Sequence, residues 1–287
     1  MSRRNAADAA SLEGDDSASA NQDWAFPLVA AVYGGVLLAG LTSAVAIPLD
    51  GGPLGLSGSY AAGFIAGFVG GFVLARVDAR LPARLGRTGG HRLGTAAPSL
   101  PFFGIWLVSS DPAAEAVALV STLLVFATGQ LLSQVASNRY VDSVTAGEPS
   151  ATWRWEPPGS LRLDLLVGAL WGVLAAANAA TGNWQSALLW LTLGVMWLAS
   201  GLAEGRWSLG AGRDRCEIQV YDSGLVKRRP FLQTFVSWDE INHVRLRDGE
   251  LVLDRGFRDV RLERDALEDA DGVLEAIDER IAGAALR

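Results

Sequence analysis

Hydrophobic and polar positions separate along this chain on a scale longer than a single helix or strand. Residues 25–49, AFPLVAAVYGGVLLAGLTSAVAIPL, hold no charged side chain over 25 positions. That length suffices for a helix to cross a hydrocarbon core about 30 Å thick. A Gly/Pro turn, Asp50-Gly51-Gly52-Pro53, separates it from a second run at 58–75, which closes at Arg76. The third run, 94–110, contains Pro98 and Pro101. Asp111-Pro112 then reads as an N-cap with proline at the first helical position, opening a helix over 113–136. Runs at 164–180 and 184–203 are separated only by Thr181-Gly182-Asn183, which predicts a tight antiparallel hairpin. The pattern predicts an α-helical membrane bundle of six transmembrane helices within residues 24–205.

Arginine placement orients that bundle. Arg3 and Arg4 precede the first helix, and Arg76, Arg80, Arg84, Arg87 and Arg92 lie between the second and third. Arg139, Arg154 and Arg162 lie between the fourth and fifth, and Arg206 follows the sixth. The three alternate loops carry no Lys or Arg. By the positive-inside rule this is a multi-pass cell-membrane protein with both termini cytoplasmic. The parity also requires the third run to span despite its prolines. Residues 1–23 carry two Arg and five acids and have no apolar face, so they predict a disordered cytoplasmic tail. Trp24, Trp153, Trp155, Trp184 and Trp207 occupy interface positions. Trp106, Trp171, Trp190 and Trp197 lie deeper, within the bundle or lining an aromatic cavity.

The second helix repeats glycine every fourth residue, at Gly63, Gly67 and Gly71, each followed by Phe. Such a glycine zipper leaves a groove in which another backbone can approach closely. Its partner is either the first helix, with Gly34, Gly35 and Gly40, or a second subunit. Gln130, Gln134 and Asn178 read as polar cross-links or as the lining of a permeation path, while Glu115 and Asp164 start helices near an interface.

Beyond residue 206 the period changes to two. CEIQV, LVKRR, FLQTFVSW, HVRLR, ELVLD and DVRLE are short and half-apolar, with turns at Asp222-Ser223-Gly224, Asp248-Gly249 and Arg255-Gly256. Leu267, Ala270, Leu274, Ile277 and Ile281 then follow a helical spacing. The order predicts a small antiparallel β barrel or sheet over 206–287, closed by a C-terminal helix.

Together with Gly224-Leu225, Arg228-Arg229-Pro230, Trp238-Asp239-Glu240-Ile241 and Leu251-Val252-Leu253, this order resembles the pleckstrin-homology-like domains of prokaryotic membrane proteins. The resemblance covers about a quarter of the chain. It implies a partly open barrel of seven strands with a C-terminal helix and no catalytic activity. The implied role is binding lipids or proteins, or assembly. Six strands are legible here.

Composition narrows the function classes. Half the chain is apolar and 19% charged; net charge is −7, which argues against nucleic acid as a partner. Lys227 is the only lysine against 23 arginines, and 19 of 31 acids are Asp, a composition suited to a halophilic archaeon. A single cysteine, Cys216, allows no intrachain disulfide, and two histidines provide no metal cluster. No nucleophile elbow, P-loop, paired-carboxylate or HExxH pattern is present, so no enzyme activity and no cofactor are expected.

The candidate binding residues are Lys227, Arg228 and Arg229, the one basic triplet of the β domain. Facing outward, each charge would be worth about 1 kcal/mol near an anionic lipid surface. Strand alternation separates Arg228 from the other two, and Trp238 is expected as a buried anchor. These features predict a non-catalytic membrane protein whose module binds a lipid or protein partner, with homo-oligomerisation open. The alternative is a small-solute permease or channel regulated by that module.

Overall fold

The computed structural model describes residues 3–47, 52–157, 159–206, 216–247, 249–256 and 259–284. The expected turn at Asp50-Gly51, Trp207, Asp248, and residues 207–215 of the expected β domain lie outside the described residues. Among the described residues, five helices are long and apolar enough to cross a membrane: Trp24–Ala46, Leu54–Val77, Pro112–Val144, Leu161–Ala180 and Trp184–Ala203. The protein is a multi-pass membrane protein with an antiparallel β region and a C-terminal helix. Its contacts define two compact units, Met1–Ala136 and Ser137–Arg287.

In the first unit, α1 (Arg3–Ala46) begins well before the apolar run, through residues expected to form a tail without structure. Ala-rich sequence can extend an established helix without a new nucleation step. α2 (Gly52–Val77) packs antiparallel on α1. The glycines set the approach. A methyl built on Gly71 would lie 2.5 Å from the Ala30 carbonyl oxygen, and one on Gly63 would lie 2.8 Å from that of Leu38. Gly67 abuts the Gly34 carbonyl. The glycine face of α2 therefore meets the first helix of the same chain. At one end the Thr42 hydroxyl donates to the Ser59 carbonyl, at 2.9 Å.

The third apolar run is divided. α3 (Leu81–Arg87) and α4 (Gly89–Ala96) are followed by α5 (Ser99–Val108), a helix of only 10 residues that rises about 15 Å. The break falls at Pro98, the N-cap of α5, and Pro101 sits in its first turn, where a missing N–H leaves no helical bond unmade. α6 (Pro112–Val144) starts as expected: the Asp111 carboxylate accepts from the Ala113 and Ala114 amides at 3.2 and 3.3 Å. Gly129 of α6 lies against Thr95 and Tyr33, and Gly40 lies against Ser121 and Phe102. Along α1 from residue 33 to 40, partners advance from 95 to 102 on α4–α5 and fall from 129 to 121 on α6. The α4–α5 pair thus runs parallel to α1 and antiparallel to α6.

In the second unit, α7 (Leu161–Ala180) and α8 (Trp184–Ala203) form the expected hairpin. Gly182 makes the turn with φ +77°, and the Asn183 side chain caps α8 through the Ser186 amide. α8 stops at Gly205, φ +70°: the Arg206 amide bonds the Gly201 carbonyl and the Gly205 amide that of Leu202.

Seven strands among the described residues form two antiparallel sheets. One has the order β1 (Ala151–Arg154), β2 (Glu217–Val220), β3 (Gly224–Arg228), β4 (Gln233–Ser237). The other contains β5 (His243–Arg247), β6 (Glu250–Asp254) and β7 (Val260–Glu263). α9 (Ala270–Ala284) packs on them through Val273 and Ile277. β1 precedes the α7–α8 hairpin, yet it pairs with β2 after it, with Ala151 opposite Val220 and Trp153 opposite Ile218. The membrane hairpin is therefore inserted between two adjacent strands of one sheet, and the β region does not begin at residue 206. Trp153 and Trp155, expected at the membrane interface, instead belong to the β core: Trp155 is 2% exposed and Trp153 packs on the same cluster. Alternating Ala151, Trp153 and Trp155 face inward because the pairing with β2 gives them apolar neighbours.

Candidate functional site

The core-facing row of β3 starts with Leu225, fully buried against Val220 and Val236. Strand period carries the same row to Lys227 and then to Arg229. Lys227 is opposite Ile218 on β2 and Thr234 on β4. The basic triplet is split as alternation requires, but not as an outward-facing patch. Lys227 and Arg229 turn to the core-facing side and are half-buried; Arg228 is exposed on the other face.

Trp155 forms the floor under the first pair. Its ring centroid lies 4.4 Å from Lys227 Nζ and 5.3 Å from Arg229 Cζ. Cation–π attraction is strongest where the cation is poorly hydrated, as it is here. Burial, reinforced by the neighbouring Arg229, pushes the Lys227 ammonium down to about 8. Arg229 Nε and Trp155 Nε1 are buried donors without a hydrogen-bond partner among the described residues. This end of the module concentrates two cations and unsatisfied donors.

The opposite face of the sheet is covered by the last turns of α6. The Asn138 side chain donates to the Phe231 carbonyl and accepts from the Gln233 amide, both at 2.9 Å. Tyr140 meets Phe235 edge-on with centroids 6.4 Å apart, and the Ser223 hydroxyl donates to the Val144 carbonyl. Arg228 lies on this side, within electrostatic reach of Asp142 and Tyr221.

The base of the hairpin is pinned beside the module. Arg206 Nε binds Glu204 at 2.7 Å, its Nη1 is 3.4 Å from the buried Asp164 carboxylate, and its guanidinium lies 5.2 Å from the Trp197 ring. A methyl built on Gly205 would lie 2.8 Å from Cys216 Sγ and 3.0 Å from Pro230 Cδ. The end of α8 therefore abuts both the entry to β2 and the β3–β4 turn. Cys216 is fully buried, as the alternation of CEIQV predicts, but it lies one residue before β2 rather than within it.

Two other concave surfaces are present. Arg245, Arg247 and Arg261 surround Val252 on the outer face of the three-stranded sheet, in a cleft of about 250 Å³. Acids there balance the charge: Arg261 is 3.7 Å from Glu250 and 4.0 Å from Asp259. An apolar hollow of about 500 Å³ on α7–α8 is lined by Ala175, Ala179, Trp184, Ala187, Leu188 and Leu191, on a hairpin suited to lipid. His243, without a visible partner in the sequence, lies 3.3 Å from Asp254 across the β5–β6 pair. Among the described residues no three His, Cys, Asp or Glu side chains converge as a metal site. No protein-family model, curated protein or solved structure matches this chain.

Sequence reasoning missed Trp155 as a partner of the triplet. The signal was the alternation of Ala151, Trp153 and Trp155. A 60-residue interruption by the hairpin and its flanks hid the strand to which it belongs.

Proposed function

We propose that this chain is a non-catalytic membrane protein whose pleckstrin-homology-like module is fixed at the membrane face to bind a lipid or protein partner. The carrying observation is the insertion of the α7–α8 hairpin between the paired strands β1 and β2. A module threaded in this way is tied to the bilayer through two adjacent strands rather than one flexible linker. Four strands in one sheet, three in the other and a closing helix support the family resemblance, with β1 supplying the strand missing from the sequence pattern.

The same reading has six membrane crossings and both termini on the cytoplasmic side. α4 and α5 in series, residues 89–108, follow α1 in direction and are together long enough for about 30 Å. A sixth pass restores the arginine-free character of every outer loop. The acids inside the candidate spans, Glu115, Asp142 and Asp164, all lie near helix ends, and α1 and α2 pack backbone to backbone. Both features favour a scaffold over a permease. A partner that is a second copy of the chain fits the same reading, and the acidic, lysine-poor composition supports a halophilic archaeal source.

Reporter fusions test this directly. A reporter after Gly182 should read external, and reporters after Gly205 and at the C-terminus cytoplasmic. Readings on one side for all three would detach the module from the proposed face. Proteoliposomes holding the full chain should pass small solutes no faster than empty vesicles; flux would favour the permease.

A further inference from the structure

We propose that Lys227 and Arg229, held together over the Trp155 ring, bind a phosphate group, supplied by the headgroup of an anionic phospholipid. The inference rests on the module lying at the membrane face and adds the ligand class that this face takes.

The donor set suits phosphate. An ammonium offers three N–H donors and a guanidinium a planar fork, and neither accepts. Among the described residues, the one charged neighbour that acts on Lys227 is Arg229, another cation. Arg229 Nε lacks an acceptor while being buried, as does the Trp155 indole N–H. A multi-oxygen anion held by the Lys227 ammonium and the Arg229 guanidinium would accept from both and replace cation–cation repulsion with attraction. Trp155, 2% exposed, supplies a dry floor on which an ion contact to either cation is stronger than in water. Arg228, one residue away, is on the opposite face with Asp142 nearby, so the sheet itself separates it from this set.

Position selects a lipid as the source. Trp155 lies six residues before α7, and its amide donates to the Cys216 carbonyl at 3.0 Å. Cys216 and Pro230 both border Gly205, where α8 ends. The Arg229 amide bonds the Leu232 carbonyl, closing a turn whose tip residue, Phe231, is 66% exposed. Asn138, in the last two turns of α6, holds the Phe231 carbonyl. An exposed phenyl ring thus stands between the ends of two apolar helices, beside the paired cations. That arrangement matches a bilayer edge, with acyl chain against Phe231 and headgroup phosphate against Lys227 and Arg229.

Native mass spectrometry of the detergent-solubilised full chain tests the site, using phosphatidylglycerol, phosphatidylcholine and inorganic phosphate as separate titrants. Phosphatidylglycerol should be preferred over phosphatidylcholine, and Lys227→Gln/Arg229→Gln should reduce that preference about tenfold or more. Arg228→Gln should leave it unchanged. Inorganic phosphate that binds with the same dependence on Lys227 and Arg229, and displaces the lipid, would keep the site and reassign its source to free phosphate. Equal binding of the two lipids without phosphate binding, survival of the preference in the double variant, or an equal loss in Arg228→Gln overturns the proposal. Cys216 must stay closed to maleimide in each variant; if it opens in the double variant, the single Arg229→Gln variant carries the same comparison. Correct reporter topology with no phosphate binding would sink this site and leave the module's placement standing.

Discussion

Gly70 and Gly71 are neighbours on α2 and should respond to alanine with opposite signs. A methyl on Gly71 would sit 2.5 Å from the Ala30 carbonyl oxygen and 3.1 Å from the Ala31 Cα. Those are backbone atoms, so no side-chain rotation relieves the clash; α1 and α2 must separate by roughly 1 Å to restore an ordinary contact. Overpacking of this kind costs about 1–3 kcal/mol. Gly34 and Gly67 share the same interface, and their close approach would be lost in the same movement. A methyl on Gly70 meets nothing within 4 Å, and its neighbours Val69 and Val73 are exposed. There alanine gains up to about 1 kcal/mol of helix propensity. The two variants should therefore differ by about 2–4 kcal/mol. Equilibrium unfolding of the full chain in mixed micelles, followed by circular dichroism against the fraction of denaturing detergent, measures that gap. Midpoints shifted equally and in the same direction by Gly70→Ala and Gly71→Ala would refute the assigned packing face.

Lys227 is held at about 8, below its ordinary 10.5, so the unfolded chain binds more protons than the folded one between those values. Stability should rise with pH through that window by up to about 3 kcal/mol, and Lys227→Met should gain a similar amount at pH 7 and nothing above pH 10.5. Comparing Cys216 labelling rates of variant and parent at each pH checks both statements, because this thiol is fully buried in the module core. Trp238, 6% exposed, donates its indole N–H to the Tyr221 carbonyl at 3.0 Å; Trp238→Ala should cost about 3–5 kcal/mol and expose Cys216 in the same assay.

The membrane half was legible because its signal is local: uncharged length, glycine spacing and the cap at Asp111 are all read within one helix. The exception is 94–110, where charge parity argues for a pass and the two prolines fix the break into α4 and α5. Hydropathy measures only apolarity, so it cannot place a helix break. In the β region, Cys216, Trp238 and the α9 apolar face follow from alternation and helical spacing. The role of Trp155 does not, because it depends on pairing between strands far apart in sequence. The same gap hid the orientation of Lys227 and Arg229. Alternation puts them on one face, but only the register with β2 and the return of β1 identify that face as the inner one.

If β1 is part of the module, its removal should be more damaging than removal of the membrane hairpin. Residues 206–287 alone would lack Trp155 and Trp153, open the edge of β2, and leave Leu267 without its bridge to Trp155. Loss of a buried tryptophan alone costs about 3–5 kcal/mol, much of the 5–15 kcal/mol that holds a typical domain together. An exposed strand edge also invites association. Splicing residues 150–156 to 216–284 should rescue the fold. The Trp155 amide bonds the Cys216 carbonyl at 3.0 Å, so these chain positions are already adjacent and a few Gly and Ser residues can join them. The spliced protein should purify as a monomer with one cooperative unfolding transition and a protected Cys216, while the 206–287 fragment should aggregate or leave Cys216 open. Equal cooperativity and protection in both would mean that β1 contributes nothing to the core. The threaded module, and the proposed lipid-phosphate site that depends on Trp155, would then lose their structural basis together.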